Sequence, residues 1–86
     1  LRLRPCEYAA LDSPGFAQLR LGDYNRAVTD YDAALAVNPR SATSLFGRGV
    51  AKLRKGDQSG GNADLAAART IEPGIDARYA GYGIRP

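Results

Sequence analysis

Residues 21–39 read LGDYNRAVTDYDAALAVNP, and a second copy of the same skeleton, LRKGDQSGGNADLAAARTIEP, follows at residues 53–73. Each copy has a Gly–Asp pair, then apolar residues at spacings of three and four, and then a proline. Spacings of three and four are typical of one buried face of an α-helix. The chain therefore contains one helical unit built twice.

The two copies share one register over a repeat of 34 residues. Aligning residues 8–41 with residues 42–75 without gaps gives identical pairs at eleven positions. The pairs are Leu11/Leu45, Gly15/Gly49, Ala17/Ala51, Leu19/Leu53, Arg20/Arg54, Gly22/Gly56, Asp23/Asp57, Asp30/Asp64, Ala33/Ala67, Ala34/Ala68 and Pro39/Pro73. An alanine-rich chain matches alanines by chance, but it does not also align both Gly–Asp pairs and both prolines.

Each unit is predicted to contain two helices joined at its Gly–Asp pair. The glycine suits a left-handed residue that ends the first helix, and the aspartate suits the N-cap of the second. The closing proline ends the second helix, because the residue before a proline is pushed out of the α region. With Ser13 as its cap, the first helix of unit one is predicted from about Pro14 to Leu21. Gly60 and Gly61 are expected to weaken their helix but to let two helix backbones approach closely.

The pattern resembles the tetratricopeptide repeat, a 34-residue helix pair. The matching residues of unit one are Leu11, Gly15, Gly22, Asp23, Tyr24, Ala27, Tyr31, Ala34 and Pro39. Those of unit two are Leu45, Gly49, Gly56, Asp57, Ala68 and Pro73. Tyr79 and Gly83 continue the large and small positions into a closing helix that covers the last repeat.

The resemblance implies an all-α fold, with antiparallel helix hairpins stacked as a short right-handed α-solenoid. We expect a single domain over residues 1–86. Its expected parts are an N-terminal arm (1–7), a first repeat (8–41), a second repeat (42–75), and a closing helix with a tail (76–86).

A stack of this kind has a concave groove lined by the first helix of each unit. The resemblance places in this groove Asp12, Phe16, Leu19, Arg20, Phe46, Val50, Leu53 and Arg54. We expect the two phenylalanines, Phe46 above all, to offer apolar pockets, and the arginines to attract an acidic group or a carboxylate. The same leucines could instead pack in the core, and the arginines could simply be solvated. The acidic tail of heat-shock chaperones is disfavoured as a ligand, since that clamp needs Lys and Asn at groove positions.

These expectations describe a non-catalytic module that binds a protein or peptide. The alternative is a piece of a longer scaffold that self-associates, burying Phe16 or Phe46 against another copy, because two repeats fall below the usual three. Weak nucleic-acid binding is a third reading, but the basic residues are interspersed with acids and form no stripe. The bases that would contact phosphates are Arg2, Arg4, Arg20, Arg40, Lys52, Arg54 and Lys55.

A structural ion pair is also expected. Arg48 occupies a position that usually holds leucine in such repeats, and Asp30 and Asp64 lie on the second helices that face it. Arg48 is predicted to pair with one or both of them and to hold adjacent units together. The alternative is an exposed arginine beside a solvated acid, which stabilises a fold by at most about 1 kcal/mol.

Composition argues against most other classes. The chain has no His, so Ser–His and Cys–His catalytic units are impossible, and neither a cofactor nor a metal is expected. The stretch GRGVAK at residues 47–52 lacks the last glycine of a dinucleotide loop. No apolar run approaches the ~20 residues that span a bilayer. We therefore expect a soluble protein with the cytoplasm favoured over the periplasm and, since there is no Met, a piece of a longer chain.

Overall fold

The computed structural model of the protein describes residues 14–86. The predicted N-terminal arm and the candidates Leu11, Asp12 and Ser13 lie outside the described residues. Five α-helices follow one another, and no strand occurs between residues 14 and 86. They are α1 (Pro14–Leu21), α2 (Tyr24–Val37), α3 (Ala42–Lys55), α4 (Gln58–Ile71) and α5 (Ile75–Gly81). The all-α fold is confirmed, and the helices pack consecutively as in a helical repeat.

Helix α3 is the centre of the arrangement. It contacts each of the other four helices, and its contact with α4 is the most extensive in the described part of the chain. Most of its residues are buried, including Phe46, Val50 and Ala51. The hydrophobic core therefore follows α3, and the other four helices pack around it.

The Gly–Asp pairs end one helix and begin the next, as the sequence predicts. Gly22 and Gly56 have φ of +83° and +97°, which is the left-handed region that glycine enters without a Cβ clash. The Gly56 amide donates to the carbonyl of Leu53 at 3.0 Å, and the following Asp57 amide donates to that of Lys52 at 2.8 Å. This bond pair is the Schellman motif, which satisfies the last carbonyls of a helix.

Side-chain caps open the three longest helices. Asp23 accepts a hydrogen bond from the amide of Arg26, and Asp57 accepts one from the amide of Gly60. Ser41 caps α3 in the same way. Each cap satisfies an amide at a helix N-terminus that has no partner within the helix.

The closing helix is shorter than expected. Gly83 was predicted to fill a small-residue position inside the helix, but α5 ends at Gly81 and Gly83 has a φ of +83°. The Gly83 amide donates to Ala80 and the Ile84 amide donates to Tyr79, both at 3.0 Å, so a third Schellman motif forms here. Helix α5 consequently has 7 residues, whereas α3 has 14.

Two glycines make room for Tyr31, which is 1% exposed and lies between α1 and α3. A Cβ at Gly15 would lie 3.0 Å from the Tyr31 ring, and a Cβ at Gly47 would overlap the ring. The second unit repeats the first contact, since a Cβ at Gly49 would lie 3.0 Å from Leu65. Small residues on first helices therefore admit large residues of second helices.

Helices α3 and α4 are in close contact at Gly49 and Gly61. A Cβ on Gly61 would lie 2.7 Å from Leu53 Cγ and 2.9 Å from the carbonyl oxygen of Gly49. Both distances are shorter than ordinary van der Waals contacts. The close approach expected from the glycines at 60 and 61 is therefore found at Gly61.

A Gly61→Ala substitution should lower the free energy of unfolding by about 1–2 kcal/mol, because overpacking outweighs the gain in helix propensity. Gly81→Ala is the matched control, since its Cβ would meet nothing within 4 Å. That control should stabilise the protein by about 0.5–1 kcal/mol. Urea unfolding of both variants checks the prediction, and an equal gain in both would contradict it.

A Tyr31→Phe substitution should leave stability unchanged or raise it by about 1 kcal/mol. The Tyr31 hydroxyl is buried without a well-formed hydrogen bond among residues 14–86, and the neighbouring Tyr79 hydroxyl offsets only part of the cost of its desolvation. Burial also raises the pKa of Tyr31 to about 12, so the unfolded chain ionises this group first as pH rises above about 10. Urea unfolding between pH 7 and 11 should show the parent protein losing more stability than Tyr31→Phe. A clear loss of stability in the variant at pH 7 would contradict the prediction.

Candidate partner-binding site

A cleft of about 360 Å³ opens between the C-terminal halves of α1 and α3 and the tail that follows α5. Its walls are formed by Leu19, Arg20, Tyr24, Val50, Arg54, Tyr82, Gly83, Ile84 and Arg85. Four of these residues, Leu19, Arg20, Val50 and Arg54, were placed in the groove by the sequence analysis. The structure thus brings half of the expected groove residues into one concavity.

The two phenylalanines are placed differently from the expectation. Phe16 is 3% exposed and Phe46 is fully buried, so neither offers an open apolar pocket. Phe46 stacks on Tyr79 with ring centroids 4.5 Å apart, and Phe16 meets Tyr82 edge-on at 5.7 Å. The closing helix and tail cover both rings, which belong to the core of this chain.

Leu53 also lies away from the cleft. It is half-buried and packs against Gly61 of α4, as the alternative interpretation of a core leucine proposed. Leu19 and Val50 are 5% and 2% exposed, so they form the apolar floor of the cleft.

The tail contributes to the cleft in a way that was not predicted from the sequence. Because Gly83 turns the chain back, Ile84 packs against the core and is 9% exposed. Tyr82 is half-buried beside Phe16. A Gly after an apolar helix was a usable signal for this turn, but the 34-residue register assigned Gly83 to the helix interior.

Polar contacts fix α5 on the rest of the fold. The Tyr79 hydroxyl donates to the backbone carbonyl of Thr43 at 2.7 Å, near the start of α3. Arg78 forms a two-bond pair with Glu72, each bond 2.8 Å long, and also donates to the Thr43 hydroxyl. These bonds hold Tyr79 over Phe46 and thereby position the tail wall of the cleft.

The charge of the cleft is positive. Arg20, Arg54 and Arg85 are exposed along the cleft. No Asp or Glu of the described part of the chain lines it. None of the three forms an ion pair with a carboxylate of residues 14–86. One N–H of Arg54 donates to the backbone carbonyl of Arg85 at 3.0 Å, and an arginine has five such donors. The cleft therefore retains unpaired donors suited to an anionic group.

The ion pair expected at Arg48 is found with one of its two expected partners. Arg48 binds Asp64 through two hydrogen bonds of 2.8 and 2.9 Å, and Lys52 lies 3.1 Å from the same carboxylate. The second acid is Asp32, at 2.6 Å, and Asp30 is not in contact with Arg48. Arg48 thus bridges its own hairpin to the preceding α2.

Asp30 lies on the other side of α2, where it lines an open cleft of about 400 Å³ with residues such as Gln18. Successive residues of a helix are rotated by about 100°, so positions 30 and 32 point in nearly opposite directions. In the 34-residue register Asp30 corresponds to Asp64, and Arg48 corresponds to Pro14. The partner that Asp30 would need in its own unit is therefore a proline.

The carboxylate of Asp64 is held in its charged form. Burial raises the pKa of Asp64, but hydrogen bonds from Arg48 and then Lys52 lower it by more, so the pKa lies below its usual value. The side chains of Asp64 and Arg48 are 10% and 21% exposed, respectively. This pair is largely shielded from water, whereas fully exposed ion pairs contribute little to the stability of a fold.

Two kinds of feature are not found among residues 14–86. No group of three metal-ligating side chains occurs within this range. None of the five helices is long and apolar enough to cross a bilayer.

Residues 16–56 match the family model described as TPR repeat. The match runs from α1 to the end of α3 and confirms, over these residues, the tetratricopeptide resemblance. TPR repeats generally act as protein–protein interaction modules. No curated protein and no solved structure matches the chain significantly.

Substitution of Asp64 by Asn should lower the free energy of unfolding at pH 7 by about 1.5–3 kcal/mol, since charge-assisted hydrogen bonds are lost. Folding lowers the pKa of Asp64, so its contribution is complete above the unfolded pKa of about 4 and disappears as pH falls through the lower folded pKa. The difference between the parent protein and Asp64→Asn should therefore shrink below about pH 4.

Asp30→Asn is the matched control, since it makes the same change at the equivalent position of the other repeat. It should alter stability by less than about 0.5 kcal/mol. Thermal and urea unfolding between pH 3 and 7 check both variants. If Arg48→Leu proved as stable as the parent protein or more so, the ion pair would not be needed for folding.

Proposed function

From the match of residues 16–56 to TPR repeats, we propose that this protein is a non-catalytic module that binds a partner protein or peptide in the cleft between α1, α3 and the tail. The observation that carries the proposal is the charge of the cleft. Three arginines border an apolar floor, and none of them is paired with a carboxylate of the described residues.

The chemistry of the partner follows from these groups. A guanidinium forms its strongest hydrogen bonds with carboxylates, which it binds with two parallel N–H donors. The half-buried rings of Tyr24 and Tyr82 offer apolar contact on the walls. We therefore propose a partner segment that combines acidic groups with apolar side chains.

The self-association hypothesis loses its specific argument. It required Phe16 or Phe46 to be buried by another copy, whereas both rings are already covered by Tyr79 and Tyr82 of the same chain. Leu21 and Val37 are exposed at 81% and 88%, but single apolar residues at helix ends are ordinary surface features.

The test is selection of random 12-residue peptides displayed on phage, using the parent protein and two charge variants. Arg54→Glu removes a guanidinium from the cleft, and Arg40→Glu makes the same change in the α2–α3 turn, away from the cleft. Peptides recovered on the parent protein should be rich in Asp and Glu. Arg54→Glu should weaken their binding at least about tenfold, because attraction becomes repulsion, and Arg40→Glu should not.

Fluorescence anisotropy of the recovered peptides at two salt concentrations gives the affinities. Equal weakening by both variants would indicate general attraction to a basic protein and would contradict the cleft. Tighter binding of a single-stranded oligonucleotide, with a steep loss of affinity in salt, would favour the nucleic-acid alternative instead. Size measurement over a range of concentrations checks that the parent protein stays monomeric.

A further inference from the structure

Arg20 and Arg54 are related by the repeat itself. They are identical residues 34 positions apart, on α1 and on α3, so they occupy equivalent places on two first helices. Both line the same cleft and both are exposed. The cleft therefore has two positive side chains whose backbone positions are set by the packing of neighbouring helices.

Helix packing fixes the distance between the two backbone positions. Helices α1 and α3 contact each other directly, and the axes of helices in contact lie about 8–10 Å apart. Equivalent residues on the two helices are displaced by a similar distance. A polyproline II chain advances about 3.1 Å per residue with three residues per turn, so side chains three residues apart lie on one face, about 9 Å from each other.

The surface between the two arginines suits side chains that are not acidic. Leu19 and Val50 form the floor there, and the rings of Tyr24 and Tyr82 stand at the sides. Arg85 adds a third positive charge from the tail, but it has no place in the 34-residue register. The positions of Arg20 and Arg54 therefore set the spacing of the acidic side chains that a bound chain must carry.

We propose that the cleft recognises a segment in the polyproline II conformation that carries two carboxylate side chains three residues apart, one for Arg20 and one for Arg54. The inference rests on the proposed function and adds the spacing of the acids. A helical segment would place acids three or four residues apart only about 5–6 Å from each other, which is too close for the two guanidinium groups.

The test uses six synthetic ten-residue peptides of one composition, acetylated and amidated at their ends. Each carries two Glu and one Leu among Ser and Pro residues, and the two Glu are separated by one to six positions. The peptide with Glu at positions i and i+3 should bind roughly fivefold more tightly than those with adjacent or i+6 Glu, since only it satisfies both arginines. Isothermal titration calorimetry on the intact chain measures the six affinities.

Variants then assign the two contacts. In Arg20→Gln and in Arg54→Gln the preference for the i,i+3 peptide should disappear, and in Arg40→Gln it should persist. Circular dichroism melting confirms that each variant folds. Peptides that bind equally at all spacings would overturn the inference but leave the proposed function intact, whereas failure of every acidic peptide to bind would overturn both.

Discussion

The ring of Tyr31 between Gly15 and Gly47 is the contact on which the rest of the packing depends. It belongs to α2, yet it fills the space that the two glycines leave on α1 and α3. A side chain at Gly47 would overlap the ring, so the three helices hold this arrangement only with glycine there. Because α3 contacts every other helix, its position relative to α1 and α2 also sets where α4 and α5 pack.

The cleft is a consequence of a helix that ends early. Had α5 continued beyond Gly81, Gly83 and Ile84 would be helical residues and not part of a turn. Gly83 ends it instead, and the tail crosses toward Val50 and Arg54. The same short helix sets Tyr79 over Phe46. The left-handed Gly83 thus places the tail wall of the cleft, whereas Tyr79 of the preceding helix covers the expected Phe46 pocket.

The contacts of Arg48 show which side-chain pairs the 34-residue register can predict. The register correctly placed Asp64 opposite Arg48, since both lie in one hairpin. It failed for Asp30, because the contact between units is made by Asp32, a position that the repeat does not share. Contacts within a unit follow from the repeat, whereas contacts between units depend on the angle at which the units pack.

The sequence by itself determined helices α1 to α4, the caps of α2 to α4 and the turns at both Gly–Asp pairs. These depend on neighbours a few residues apart, such as the Gly56–Asp57 pair, whose hydrogen bonds are local. The resemblance to the repeat family placed Leu19, Arg20, Val50 and Arg54 in one groove, and all four line the cleft. Only the tertiary structure decided that Phe16 and Phe46 are core and that Ile84 and Arg85 form a wall. Burial of a side chain depends on what packs over it, and here that cover comes from residues more than 30 positions away in the chain.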